Sequence, residues 1–426
     1  MKTTTRIPQA PAEPLPALAE FLAPFHVHFT RSEGRHALER YLTGLLTEHP
    51  NKNCDTLAQV VPGTSEQSLQ GLLTTMAWDE DDLNRQRVER MLTLPTEGDG
   101  VLIFDDTGFA KQGKSSVGVA WQYSGTLGKT ANCQVTVNCH YAERTLAWPV
   151  ATRLYLPKEW AHDPERRAKA RVPEEIPFQT KPEITLALLD QAQAWGVRWT
   201  CVVVDADYGD NPNFLAGLEK RRQRYVVAVR CDFAVARRRR GGPTQRADAV
   251  VAAQPKSAWR TVRWREGSKG WLSGRFVALR CWRVQADGQR RAGWLIGEQP
   301  GGDAQADRKY YWSNFRPRAT LETLVGYAHR RHWVEQFHEE AKELLGWDQY
   351  QGRLWTGFHR NAVAVLLAYS FLVWQEWQQR PQRTRPGRPR RAFSPSAGPE
   401  AHAAAGDPPA SVRLVTPPRS QRVTAA

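Results

Sequence analysis

Cysteine is scarce in this chain. Cys54, Cys133, Cys139, Cys201, Cys231 and Cys281 are scattered over 426 residues, and no two form a Cys-x-x-Cys pair. That spacing argues against a zinc site, and six dispersed thiols in a chain this long do not make a disulfide framework. Reduced, packed cysteines in a cytoplasmic protein are the expectation. Long apolar runs are missing as well. The longest, NAVAVLLAYSFLVW from Asn361 to Trp374, is too short to cross a bilayer and reads as a buried helix, so no membrane partner is expected. No cationic-then-apolar leader opens the chain, and a signal peptide is not expected. Acidic residues are outnumbered, 44 Asp+Glu against 59 Lys+Arg, which leaves a net charge of +15. Such a field attracts polyanions, and nucleic acid is the commonest of these.

What is present changes texture along the chain. Residues 1–16 are Pro/Ala-rich and expected to be loose. From 17 to 98 the pattern is helical: EGRHALERYLTGLL puts Ala37, Leu38, Tyr41, Leu42 and Leu45 on one face. Thr64 and Gln67 have the spacing of a capping box. A helical domain of this size fits a helix-turn-helix that touches DNA, or a bundle of another purpose. Residues 99–230 read first as strands (VLIFD, VGVAWQYSG, the alternating CQVTVNCHYA, TRLYLP). A helix from Pro182 to Trp195, the apolar strand WTCVVVD, the helix NFLAGLEKRRQ and the strand YVVAVR follow. Strands first, then strands alternating with helices, predict an α/β fold with a mixed sheet flanked by helices. Residues 231–315 are rich in Trp, Tyr and Arg with period-two segments and Gly-containing turns, a β-rich insertion. Helices return in 316–379, from Leu321 to Leu345 and from Gly357 to Gln379. The Pro/Arg-rich residues 380–426 read as a disordered basic tail.

Three carboxylates stand out. VLIFDD ends an apolar run in Asp105 and Asp106, and VVVDADYGD delivers Asp205, with Asp207 close behind. Open α/β sheets build their sites where strands end. If the two strands are adjacent, Asp105 and Asp205 lie within a few ångströms, and two carboxylates that close ionise together only around a cation. Phosphodiester chemistry needs such a centre, with two hard cations about 3.5–4 Å apart. Mg²⁺ takes oxygen ligands and keeps several waters, so a third carboxylate suffices to hold a pair. Glu335 is the candidate: Arg331, Glu335, His338 and Lys342 form one helical stripe beside an apolar stripe of Val334, Phe337, Ala341 and Leu344. Taken singly, each feature has a plainer reading, a turn or cap for the aspartates and a solvated face for the stripe. Asp105 is preferred to Asp106 because it directly follows the apolar run; Asp207 and Glu339 are held in reserve. In the insertion, Trp294 or Trp312 either stacks on an unpaired base or packs a small core. QYSGTLGK forms either a phosphate cradle with Lys129 or a hairpin turn.

The order of these motifs resembles the DDE transposases of bacterial insertion sequences, in the branch with a Y-R-E-K signature. The resemblance covers roughly residues 30–375. It rests on FDDTGFAKQGKSSVGVAWQYSGTLGKTANCQ, on VVVDADYGD and on RRHWVEQFHEEAKELLGWDQYQGR. Three residues separate Arg331 from Glu335 and six separate Glu335 from Lys342, as in the signature. The two-residue gap from Tyr to Arg fits Tyr327 with Arg330, whereas Arg331 is one residue further on.

The resemblance implies an RNase H-like core with Asp105, Asp205 and Glu335 as ligands of two Mg²⁺ ions, with Mn²⁺ able to substitute. It also implies a β-rich insertion before the Glu, and phosphate contacts from Arg331 and Lys342, with Tyr327 and Arg330 as further DNA-binding candidates. The implied partners are double-stranded DNA, as terminal inverted repeats and target, and a second copy of the chain on that DNA. The implied activity is Mg²⁺-dependent cleavage of the element's ends and joining of 3′-hydroxyls to target DNA. Competing readings are a catalytically inactive basic DNA-binding protein derived from such an element, and an RNase H-like nuclease that does not join strands. An aspartyl-phosphate enzyme would need D-x-D-x-T, and Thr107 stands where its second Asp belongs.

Overall fold

The computed structural model describes residues 9–267, 270–285, 288–300 and 307–380. Part of the expected loose start, 1–8, and nearly all of the expected basic tail, 381–426, lie outside the described residues.

The apolar runs assemble into one sheet. Its strands are β1 (Val101–Ala110), β2 (Ala120–Ser124), β3 (Lys129–Ala142), β4 (Ala147–Leu154), β5 (Cys201–Val204) and β6 (Tyr225–Val229). They are followed by β7 (Ala234–Ala236), β8 (Thr244–Arg246), β9 (Arg260–Gly267), β10 (Gly270–Val284), β11 (Arg290–Pro300) and β12 (Lys309–Ser313). The order is β2-β3-β1-β5-β6-β12-β11-β10-β7-β8, with β4 paired to β3 and β9 to β10. β1, β5 and β6 run parallel, and β1 pairs antiparallel with β3. Helices cover both faces, so the mixed α/β architecture is as the sequence pattern predicts.

Three details differ from the sequence reading or go beyond it. β1 does not stop at Asp105 but runs five residues further, because β3 pairs with it over its whole length. Gln134, Thr136 and Asn138, the polar side of the alternating strand, are buried, which the alternation alone does not mark. The strands of 231–315 continue the central sheet, since β12 pairs with β6 from Tyr310↔Val229 to Ser313↔Val226.

The helices Pro16–Leu22, Ser32–Leu45, Cys54–Val60, Glu66–Thr74 and Glu80–Met91 bury Leu38, Tyr41, Leu42, Leu72 and Val88 in the same core as the sheet. Ser65, one residue after the expected cap, accepts the Ser68 N–H at the start of Glu66–Thr74. The apolar run near the C-terminus lies within the helix Trp355–Gln379, whose residues pack against β4 and the N-terminal helices. Polar ties fix the packing: the buried Arg87 guanidinium donates to the carbonyls of Pro149 and Val150, 2.7 Å each, and to Ser370 Oγ at 2.8 Å. Among the described residues no helix is long and apolar enough to cross a membrane.

The helix expected over Leu321–Leu345 is broken. Leu321–Ala328 and His332–Glu343 are joined by a 3-10 turn, His329–Arg331. Trp264 of β9 stacks on His329 at 3.9 Å and holds that turn against the sheet.

Candidate active site

Parallel register sets the first two carboxylates level. Val101, Leu102 and Ile103 of β1 pair with Cys201, Val202 and Val203 of β5, and two residues further along lie Asp105 and Asp205. Asp205 also caps the short helix Ala206–Gly209: its Oδ1 accepts from the N–H groups of Asp207 and Tyr208 at 3.1 and 3.3 Å. Its other oxygen faces the Arg331 guanidinium. The turn is tight, for a Cβ on Gly209 would stand 1.9 Å from the carbonyl oxygen of Ala228.

Arg331 gathers the set. Its Nη2 lies 3.1 Å from Asp105 Oδ2 and 4.0 Å from Asp205 Oδ2, and its Nη1 lies 2.5 Å from Glu335 Oε1. Three acidic side chains from remote parts of the chain thus surround one guanidinium. Burial pushes Asp105 up to about 7, with Arg331 opposing that rise and Asp205 and Asp106 adding to it. Asp205 is also raised, mainly by burial. Burial alone would lower the pKa of Arg331, but Asp105, Glu335 and Asp205 outweigh it and hold it above the ordinary value. Desolvated acids and a desolvated base therefore stabilise one another.

Asp106, alternating to the other face, is held by the Tyr208 hydroxyl and by Lys181 Nζ at 2.8 Å. Asp207 pairs with Arg230, and Glu339 is exposed. The stripe on His332–Glu343 meets the sheet through His338 and Lys342, while Glu335 stays exposed at its edge. His338 is buried and its Nε2 accepts from the Asn138 amide, which also donates to the Asp105 carbonyl at 3.2 Å. Thr152 completes this support, donating to Asn138 Oδ1 at 2.6 Å. Lys342 Nζ reaches Thr107 Oγ1 at 2.5 Å and the Gly108 carbonyl at 3.0 Å, and burial lowers it to about 8.

Other candidates are not brought to this centre. Arg330 binds the carbonyl and carboxylate of Asp99, and its guanidinium lies 5.2 Å over the Tyr327 ring, near the start of β1 rather than at the carboxylates. Lys129 is exposed beside a hairpin turn in which Ser124 Oγ accepts from Leu127 and Gly128 is left-handed at φ 61°. Trp312 is 1% exposed, so it packs a core rather than meeting a base. Trp294 lies under Arg280 and donates to the Arg316 carbonyl. Sequence reasoning missed Asn138, Thr152, Lys181 and Tyr208, because their roles depend on strand pairing and on which face each occupies.

The donor chemistry suits a hard divalent ion, being three carboxylates, of which Asp105 is buried, Asp205 partly buried and Glu335 exposed. Among the described residues no three His, Cys, Asp or Glu side chains are grouped as a ready ion site. The carboxylates are spread around Arg331, which supplies the positive charge.

A family model described as "DDE superfamily endonuclease" matches residues 24–271, and one described as "Transposase DDE domain" matches residues 180–371. The chain belongs to the DDE superfamily of endonucleases, whose RNase H-like architecture agrees with the mixed sheet. Within that superfamily it is a transposase of the insertion-sequence kind. It is similar to a protein of Microchaete diplosiphon described as a probable transposase for insertion sequence element IS701, 24% identical over 327 residues. The match covers 73% of this chain and 76% of that protein.

Proposed function

We propose that this transposase binds the ends of an insertion sequence, cleaves DNA there and joins the freed 3′-hydroxyls to target DNA. The observation that carries the reading is the convergence of Asp105, Asp205 and Glu335 on Arg331. In this reading the three carboxylates are the catalytic residues and hold two Mg²⁺ ions, or Mn²⁺ in their place. When bound, such ions activate the attacking oxygen and stabilise the leaving one. Arg331 then turns from the carboxylates to a phosphate of the element end, and Lys342 binds another. His338 and Asn138 keep the helix and β1 at a fixed spacing, which positions Glu335 against Asp105. The DNA partners are terminal inverted repeats and target duplex. Pairing of two ends calls for a homodimer on DNA, in the cytoplasm. The relative's description supports an insertion-sequence substrate.

The test is cleavage of a labelled element end in Mg²⁺ by the full chain. Asp205→Asn should abolish cleavage and keep DNA binding, whereas Asp106→Asn, on the other face, should still cut. Binding without nicking by the unaltered chain would overturn the reading in favour of an inactive DNA-binding protein. Nicking without joined products on a target plasmid would favour a plain nuclease.

A further inference from the structure

Large exposed apolar side chains are few among the described residues, and three of them share one hairpin: Trp121 is 75% exposed, Tyr123 56% and Leu127 37%. An indole this exposed on an edge strand leaves apolar surface in water and invites pairing with another chain. No packing need of the fold accounts for it.

Strand register shows which way the two rings face. Directly paired residues lie on the same side of a sheet, and sides alternate along each strand. Asp105 pairs with Asn138, Thr107 with Thr136 and Phe109 with Gln134. On the same strand and the same side follow Asn132 and Thr130, whose partners are Trp121 and Tyr123. The exposed rings are therefore on the carboxylate face. They lie six to eight residues along β3 from Asn138, or about 20–27 Å at 3.4 Å per residue. That distance is about six to eight stacked nucleotide steps of one DNA strand.

The ground between is basic. Lys342 stands over Phe109 at 5.2 Å from its ring. Lys111 follows at the end of β1, its backbone N–H donating to the Asn132 carbonyl and its Nζ to the Tyr350 carbonyl at 2.6 Å. A path leads from the carboxylates past two lysines to two open aromatic rings. This is the order in which a nucleic-acid strand presents a reacting phosphate, further phosphates and splayed bases.

Resting on the transposase reading above, we infer that Trp121 and Tyr123 form a stacking platform for unpaired bases of the DNA strand that runs from the carboxylate centre. The class of ligand is single-stranded DNA, taken through its base faces without regard to sequence, because every base offers a π-face. The platform serves DNA whose end is frayed or already cut rather than intact duplex.

The experiment compares the full-length protein with Trp121→Ala, Tyr123→Ala and Trp121→Phe on two DNAs in chelator. One is a blunt duplex; the other carries a single-stranded 3′ extension of eight nucleotides, chosen from the spacing of about 20–27 Å, with 2-aminopurine in it. Each alanine variant is expected to bind the extended DNA about 5- to 150-fold more weakly. Blunt duplex should bind as before, and the protein-induced change in 2-aminopurine fluorescence should be lost. Trp121→Phe should restore most of the difference. Melting curves matching the parent establish that these surface variants fold. Equal affinity of parent and alanine variants for the extended DNA would overturn the inference and leave the transposase reading standing. A change in oligomeric state with unchanged DNA binding would also overturn it, making the hairpin a contact between copies. Failure of the parent to bind either DNA would remove the transposase reading and this inference together.

Discussion

At the residue scale the decisive fact is that one guanidinium faces three carboxylates. Strand register brings Asp105 level with Asp205, and its burial there raises its pKa to about 7. The folded state therefore binds a proton more tightly than the unfolded state, whose Asp titrates near about 4. A carboxyl of this kind contributes stability that is full below about pH 4 and is lost as pH climbs through about 7. In chelator, the denaturant midpoint of the protein should fall as pH rises from about 4 to about 7. Asp105→Asn, neutral throughout, should flatten that slope; an equal slope in the variant would place the titration elsewhere. The identity of the Asp that faces Arg331 was only half legible from sequence. Two adjacent aspartates point to opposite faces of a strand, but which face meets the helix carrying Glu335 depends on packing. The spacing of Glu335 and Lys342 was readable along one helix, with Arg331 at its N-cap. Tyr327 was not, because the 3-10 turn at His329–Arg331 interrupts the periodicity on which a stripe depends.

At the element scale the site depends on a strand-to-helix turn that admits no side chain at one position. Gly209 ends the short helix capped by Asp205, with the Ala228 carbonyl of β6 where a methyl would go. Gly209→Ala should cost at least about 2 kcal/mol, by forcing backbone apart rather than by bending a flexible side chain. It should weaken cleavage as well, since the displaced turn carries Asp205. Equilibrium unfolding and end cleavage, measured side by side, check both outcomes. An unchanged midpoint would mean that β6 yields without strain. Most strands and helices were legible because their apolar periods are strong. The ends of β1 were not: the pairing of Thr107, Gly108 and Phe109 with β3 is decided by a partner about 27 residues away. The buried polar row Gln134, Thr136 and Asn138 escaped for a similar reason, since alternation marks two faces without telling which is dry.

At the scale of the whole molecule, charge and core are unequally distributed. The N-terminal helices, the sheet and the helix Trp355–Gln379 share one apolar core, tied by Arg87 and by the Tyr41 hydroxyl to Asn361. The sequence after Arg380 carries eight arginines against Glu400 and Asp407. Removing residues 381–426 should leave the melting curve of the core unchanged. It should lower affinity for arbitrary duplex DNA and make the rise of log Kd with log salt less steep, because fewer phosphates are neutralised. A lowered melting temperature would show that the segment contributes to the core.

The ladder between β12 and β6 has a mechanical corollary. Strands sharing an unbroken run of backbone hydrogen bonds cannot hinge between them without tearing that run. Strands β7 to β12 and the strands that lead to Asp105 and Asp205 consequently belong to one continuous sheet, so the hinge for any closure around DNA is expected in the elements lying above and below it rather than at the β12–β6 seam.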